Sequence, residues 1–271
     1  MKDYTPEALR NIGLFGHASA GKTTFNELAL YTGGETTRIG KIEEGNTISD
    51  YTANEIERKI SISLSACHLE WKDTKLNLID APGTSDFEGE VLAAAKVVDT
   101  GVIFVKAVEG IEVGTEHCWD YLKGDKKPAA IVVNKIDHER SDFERVVAQA
   151  HERLSHGVVV VTFPAKEGLH FDTVIDVLKM KAYKYGALGS KQVTEMDIPD
   201  DLKAKAEEYH TQLIEKISEE DEEIMNHYFE TGDLNMDDVH KGLKMAINNG
   251  DLVPVFATSA AKGIGMNNFL D

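Results

Sequence analysis

The eight residues Gly16-His17-Ala18-Ser19-Ala20-Gly21-Lys22-Thr23 fit the phosphate-loop pattern G-x-x-x-x-G-K-[ST]. Such a loop binds anions because its backbone N–H groups curl around a phosphate at a helix N-terminus, where the dipole favours negative charge. Lys22 is placed to reach β- and γ-phosphate oxygens, and the Thr23 hydroxyl is placed to meet Mg²⁺. Asp80-Ala81-Pro82-Gly83 fits D-x-x-G, a carboxylate that holds Mg²⁺ through water and a Gly83 N–H that senses a γ-phosphate. Asn134-Lys135-Ile136-Asp137 fits N-K-x-D. Its Asp137 carboxylate can accept from guanine N1–H and the 2-amino group, whereas adenine has neither donor and would leave the carboxylate unpaired. The Lys135 stem can lie over the base, and Ser259-Ala260-Ala261 sets the Ala260 N–H where guanine O6 would be. Together the four motifs specify GTP or GDP with Mg²⁺. The candidate nucleotide-binding residues are His17, Ala18, Ser19, Ala20, Gly21, Lys22, Thr23, Thr24, Asn134, Lys135, Asp137, Ser259, Ala260 and Ala261. Lys22 and Gly83 are the candidate catalytic groups, and Thr23 and Asp80 the candidate Mg²⁺ ligands.

These motifs need strand ends to hold them. Asn11 to Phe15 reads as a buried strand before the phosphate loop, and Thr24 to Tyr31 has apolar residues at helical spacing, ending at Gly33-Gly34. Residues 33 to 60 carry four glycines and many charges and predict a long, weakly structured loop, disordered or variable without GTP. Ile60 to Leu64 and His68 to Trp71 alternate like a strand, Lys72-Asp73-Thr74 is a turn, and Lys75 to Asp80 is the returning strand. Residues 86 to 98, 112 to 123 and 141 to 154 predict helices, separated by the apolar strands Gly101 to Val105 and Ala129 to Val133. Apolar strands alternating with helices predict an α/β fold: a doubly wound, mainly parallel sheet of P-loop NTPase type with its ligand at the carboxyl ends of the strands. The alternation breaks at Val158 to Phe163 and resumes at Leu252 to Phe256. Residues 157–250 are therefore read as an inserted α+β subdomain, with 1–156 and 251–271 as the nucleotide domain. Residues 267 to 271 read as the start of a helix that the chain does not complete.

Composition narrows the setting. The chain has 271 residues and a net charge of −18, which argues against gripping nucleic acid on its own through phosphate neutralisation. Residues 195 to 233 hold fourteen Asp or Glu against three Lys: a solvated helix face, or a docking surface for a basic partner. Cys67 and Cys118 fit no disulfide or zinc spacing, no apolar run is long enough for a membrane span, and no apolar signal segment opens the chain. A reduced, cytoplasmic compartment is expected.

On these motifs, and on Arg10 to Gly13, Leu30 to Gly33, Arg38-Ile39-Gly40, Asp50-Tyr51, Glu57 to Ile62, Val174 to Ala182 and Leu213-Ile214-Glu215, the sequence resembles the G domain of elongation factor G over nearly its whole length. The resemblance implies a GTPase acting on the ribosome in translocation or recycling. It implies that the insertion is the extra subdomain of that factor, facing the stalk proteins of the large ribosomal subunit, and that Ser61 supplies a second Mg²⁺-ligating hydroxyl. Release factors and antibiotic-protection factors are related alternatives, less favoured by the Val174 to Ala182 stretch, and a small-molecule kinase is disfavoured by Asn134 to Asp137.

Three positions depart from that pattern, and all lie toward the γ-phosphate. Where the family carries the histidine that orders the attacking water, this chain has Thr84, whose short side chain does not reach as far. Ser19 stands where the family has Asp, and Lys59 stands where the usual Arg-Gly-Ile-Thr has glycine. The resemblance, so modified, implies an elongation factor G-like paralogue that binds GTP and hydrolyses it weakly, or a non-catalytic ribosome-binding latch.

Overall fold

Successive residues of the central strands are buried on opposite faces of one sheet, as expected for strands apolar throughout. Leu14, Val102, Phe104 and Val132 pack with Phe25 and Leu28 on one side. Phe15, Ile103, Val105, Ile131 and Val133 pack with Val91, Trp119 and Phe143 on the other. This computed structural model describes residues 2–271.

The chain runs β1 (Leu9–Gly16), α1 (Lys22–Gly33), α2 (Ala53–Arg58), β2 (Ser65–Trp71), β3 (Thr74–Asp80), α3 (Glu88–Val97), β4 (Thr100–Lys106), α4 (Val113–Gly124), β5 (Ala129–Asn134), α5 (Phe143–Arg153) and β6 (Val158–Val160). A second unit follows, with β7 (Thr162–Pro164), β8 (Thr173–Asp176), β9 (Lys181–Tyr185), β10 (Val193–Met196), α6 (Asp200–Ser218), α7 (Glu222–Thr231) and α8 (Met236–Asn249). The chain then returns as β11 (Val253–Ala257) and α9 (Met266–Leu270). The first sheet has the order β2-β3-β1-β4-β5-β11-β6, and the second β10-β9-β8-β7. All pairings of the first sheet are parallel except β2 with β3; the second sheet is antiparallel throughout. The α/β, doubly wound reading therefore holds. Because β1 leads to β3 on one side while β4 lies on the other, a crevice opens at the carboxyl end of β1.

Several expectations are corrected. Val158 to Val160 does not open the inserted unit: it is the last strand of the main sheet, with Val158 opposite Val253 and Val160 opposite Val255. It is buried because helices α5 and α6 both pack on it, and the insertion starts only at Val161 and Thr162. The acidic stretch from 195 to 233 is two helices, α6 and α7, since the Asp221 side chain caps the start of a second one, and a third, α8, begins just beyond it under an Asn235 cap. Ile60 to Leu64 is not a strand, because its N–H groups go to carboxylates: Ile62 and Ser63 to Glu55 Oε1 and Leu64 to Glu90. Residues 33 to 60 are folded, not loose. The buried Glu27 of α1 accepts from the N–H groups of Gly40 and Ile48, and Thr52 with Glu55 forms a capping box on α2.

The second unit is fastened to α9 by a buried polar cluster. Asn268 Nδ2 donates to Asp176 Oδ2 (3.1 Å) and Asn268 Oδ1 accepts from the Tyr185 hydroxyl (2.7 Å). Burial pushes the Asp176 carboxyl above its ordinary range, so that bond matters. Replacing Asn268 by Ala should cost about 2 kcal/mol, the usual penalty for stranding buried polar groups. Urea unfolding measures it, and a loss within the error of the fit would show that the cluster does not hold the units together.

Candidate functional site

The phosphate loop joins β1 to α1, and two glycines allow its geometry. Gly21 has φ +93°, and a Cβ there would stand 2.3 Å from Asn134 Nδ2. Without it, Asn134 Nδ2 donates to Ala20 O at 2.9 Å and ties the base motif to the phosphate loop. Gly83, after β3, lies so close that a Cβ would stand 2.6 Å from Lys22 Nζ and 2.8 Å from Ala18 N. Any side chain there would wedge the D-x-x-G turn off the loop. Lys22 is buried and donates to Gly16 O (3.0 Å) and His17 O (3.3 Å). Its ammonium holds the loop's own carbonyls, positioned where phosphate oxygens would replace them.

Four oxygen-bearing side chains meet at the loop's mouth. Thr23 Oγ1 donates to Asp80 Oδ2 at 2.8 Å and lies 3.1 Å from Ser61 Oγ, while Ser49 Oγ donates to Asp80 Oδ2 at 3.0 Å. Asp80 and Asp50 are both buried. Asp80 Oδ1 and both Asp50 oxygens are buried without a hydrogen-bond partner, a state that costs free energy unless a cation meets them. Burial pushes the Asp80 carboxyl up from 3.8 to about 6, against the opposing pull of Lys22, and burial also raises Asp50. All-oxygen donors of this kind suit a hard cation such as Mg²⁺.

A cavity of about 320 Å³ opens beside these groups, lined by Ala18, Ser19, Gly21, Lys22, Thr23, Thr24, Ile42, Glu43, Asp50, Lys59, Ile60, Ser61, Gly83, Thr84 and Lys135. A second cavity of about 400 Å³ lies behind Thr84, between the D-x-x-G turn and α4, and includes His17, Val91, Val113, Cys118 and Tyr121. Thr84 lines both, and its Oγ1 is buried with no hydrogen-bond partner.

At the base end, Asn134 Oδ1 accepts from Thr258 Oγ1 (3.2 Å) and Ala260 N–H (3.0 Å), and Ser259 Oγ donates to Asp137 Oδ1 (2.6 Å). Thus the motifs from β5 and β11, 126 residues apart, form one network, because β11 pairs with β5. The Ala260 N–H, expected to face guanine O6, here donates to Asn134 Oδ1. Three other candidates sit away from the first cavity. His17 turns toward α4, with Nε2 3.4 Å from Glu112, Ala20 is buried and contributes its carbonyl to Asn134, and Ala261 is exposed. Sequence reasoning gave no role to Asp50 and Ser49. Asp50 stood in a recognisable stretch, but only the folding of residues 33 to 60 over the loop brings it beside Asp80.

The sequence pattern of the family described as the elongation factor Tu GTP binding domain matches residues 7–271. The chain belongs to this family. Members are GTPases, and the four motifs described above are those of a guanine-nucleotide-binding G domain. A crystal structure of a protein from Thermus thermophilus superposes with a TM-score of 0.90 at 30% identity. The match covers 96% of this G domain and 39% of that chain. Among the described residues no helix is long and apolar enough to cross a membrane.

The raised Asp80 pKa fixes the sign of a pH effect. An acid whose folded pKa lies above its unfolded value adds stability at low pH that is lost as pH rises through the folded value. In EDTA and without nucleotide, Asp80 should therefore contribute a loss of about 3 kcal/mol between about pH 4 and pH 6, set against the gain from carboxylates held low, such as Glu55. Asp80→Asn should flatten that decline. Urea titrations at several pH values test it, and an unchanged slope in the variant would assign the decline to other groups.

Proposed function

We propose that this chain is the nucleotide-binding domain of an elongation factor G-like translation factor, working on the ribosome with GTP and Mg²⁺ in translocation or recycling, in the cytoplasm. The observation that carries this reading is the meeting of Thr23, Ser61, Asp80 and Asp50 at the phosphate-loop mouth, with three carboxylate oxygens unpartnered. Thr23 and Ser61 would hold Mg²⁺ directly, and Asp80, with Asp50 beside it, through water. Bound there, the ion would neutralise charge on the β- and γ-phosphates.

The protein's own groups carry the remaining steps. Residues 18 to 24 cradle the phosphates with backbone N–H groups, and Lys22 leaves the carbonyls of Gly16 and His17 to reach them. Asp137, oriented by Ser259 Oγ, takes the guanine N–H groups, and Asn134 holds that corner against Ala20. Gly83, packed on Ala18 and Lys22, gives its N–H to the γ-phosphate, which couples the terminal phosphate to the position of residues 83 to 87.

Thr84 follows at the place from which a water would be aimed. Its hydroxyl is one atom on a short branched side chain, turned into a pocket with no partner. This supports weak hydrolysis, and with it a second reading, a latch that engages the ribosome on GTP binding and lets go by another route. Domains 1–156 and 251–271 with an insertion, its start moved to residue 161, suit either reading. The acidic helices of the insertion, with Phe229 and Met236 exposed among them, offer a surface for the ribosomal stalk proteins. Release or ribosomal-protection activity is the further alternative.

Single-turnover hydrolysis by the full-length protein, with and without ribosomes, tests the reading. The native protein should turn GTP over slowly even on saturating ribosomes, and Thr84→His should raise the rate by at least about tenfold, within the range contributed by a positioned acid–base group. Fast ribosome-stimulated turnover by the native protein would contradict impaired hydrolysis.

A further inference from the structure

Lys59 is the cation of the phosphate cavity that the account so far leaves without a task. It caps the C-terminus of α2 in a left-handed conformation, φ +57°, with its N–H donated to Glu55 O. A lysine in that conformation costs about 1 kcal/mol that glycine would not, and strain of this kind persists where the surroundings hold it. Here they do. The buried Glu55 carboxylate accepts from Thr52 N–H and Thr52 Oγ1 on one side of the turn, and from Ile62 and Ser63 N–H on the other. Lys59 is thus presented on a fixed turn two residues before Ser61, whose hydroxyl touches Thr23.

The other two cations of the cavity, whose lining also includes the carboxylates Glu43 and Asp50, have tasks already. The Lys22 ammonium is bound to loop carbonyls, and Lys135 belongs to the base motif. Among the described residues no carboxylate pairs with the Lys59 ammonium, while Lys59 itself lines the phosphate cavity with Ser61, Gly83 and Thr84. The same cavity is lined by Ser19, also left-handed at φ +60°. Ser19 is neutral; an acid at this place would draw the lysine to itself. Residues 59 to 61, 83 and 84 line that cavity together, and in the reading above Gly83 meets the third phosphate while residues 18 to 24 cradle the first two.

We infer that Lys59 is a cationic contact for the γ-phosphate, supplied in cis by the switch segment, so that this protein's preference for triphosphate over diphosphate depends on it. The inference rests on the guanine-nucleotide reading above. A charge-assisted hydrogen bond from an ammonium to a phosphate oxygen is stronger than a neutral one. It is absent when the nucleotide ends at the β-phosphate.

The test is equilibrium binding of GDP and of the slowly hydrolysed analogue GTPγS to full-length native protein, Lys59→Gly and Lys59→Arg, all with Mg²⁺. Glycine adopts φ +57° without strain, so Lys59→Gly should fold at least as well as the native chain, which thermal unfolding checks. Lys59→Gly should lose about tenfold in GTPγS affinity and stay within about twofold for GDP, while Lys59→Arg keeps most of the native preference. Equal losses for both nucleotides, or no loss for either, would overturn the role of Lys59 and leave the nucleotide site standing. Failure of the native protein to bind either nucleotide would overturn the guanine-nucleotide reading and the inference with it.

Discussion

Two carboxylates buried side by side are the constraint on which the site depends. Asp80 and Asp50 come from different segments, one at the end of β3 and one in the segment folded over the phosphate loop, and three of their four oxygens lack a partner. Taking such groups out of water is costly, and neighbouring negative charge raises the cost. The protein offsets part of it with the hydroxyls of Thr23 and Ser49 on the fourth oxygen. The rest suits the proposed cation and the phosphates it would accompany. A site that is uncomfortable without its ligand couples ligand binding to the position of the segment that carries Asp50.

That coupling explains the care with which residues 33 to 60 are fastened. Glu27 holds their middle and Glu55 their end, each through backbone N–H groups. Both anchors are single buried carboxylates on helices. The main sheet does the opposite work. Its parallel strands β1, β3, β5 and β11 end at one edge and fix the phosphate loop, the D-x-x-G turn and the base motifs relative to one another. The base and phosphate motifs are thus held by the sheet, while the segment carrying Asp50 and Ser61 is held by side-chain carboxylates.

Much of this was legible in the sequence. The phosphate loop, Asp80 to Gly83 and Asn134 to Asp137 each follow an apolar strand, and that context located them at strand ends. What could not be read were features decided by partners distant in the chain. Ile60 to Leu64 alternates like a strand, yet Glu55 and Glu90 take its N–H groups. Val158 to Val160 belongs to the main sheet only because Val253 to Val255 returns from across the insertion to pair with it. Glycines and charges in residues 33 to 60 suggested a loose loop, because local composition does not show that Glu27 lies beneath it. Asp50 stands out in sequence only as part of a resembling stretch, and its place in the site is hidden for the same reason.

The most direct measurement is titration of GTPγS, GDP and ATP into the protein at neutral pH, in Mg²⁺ and in EDTA. If the buried carboxylates await a cation and Asp137 reads guanine, both guanine nucleotides should bind at least about tenfold more tightly with Mg²⁺, and ATP should compete with neither. Affinity indifferent to Mg²⁺, or ATP binding as well as GTPγS, would contradict the account at its centre.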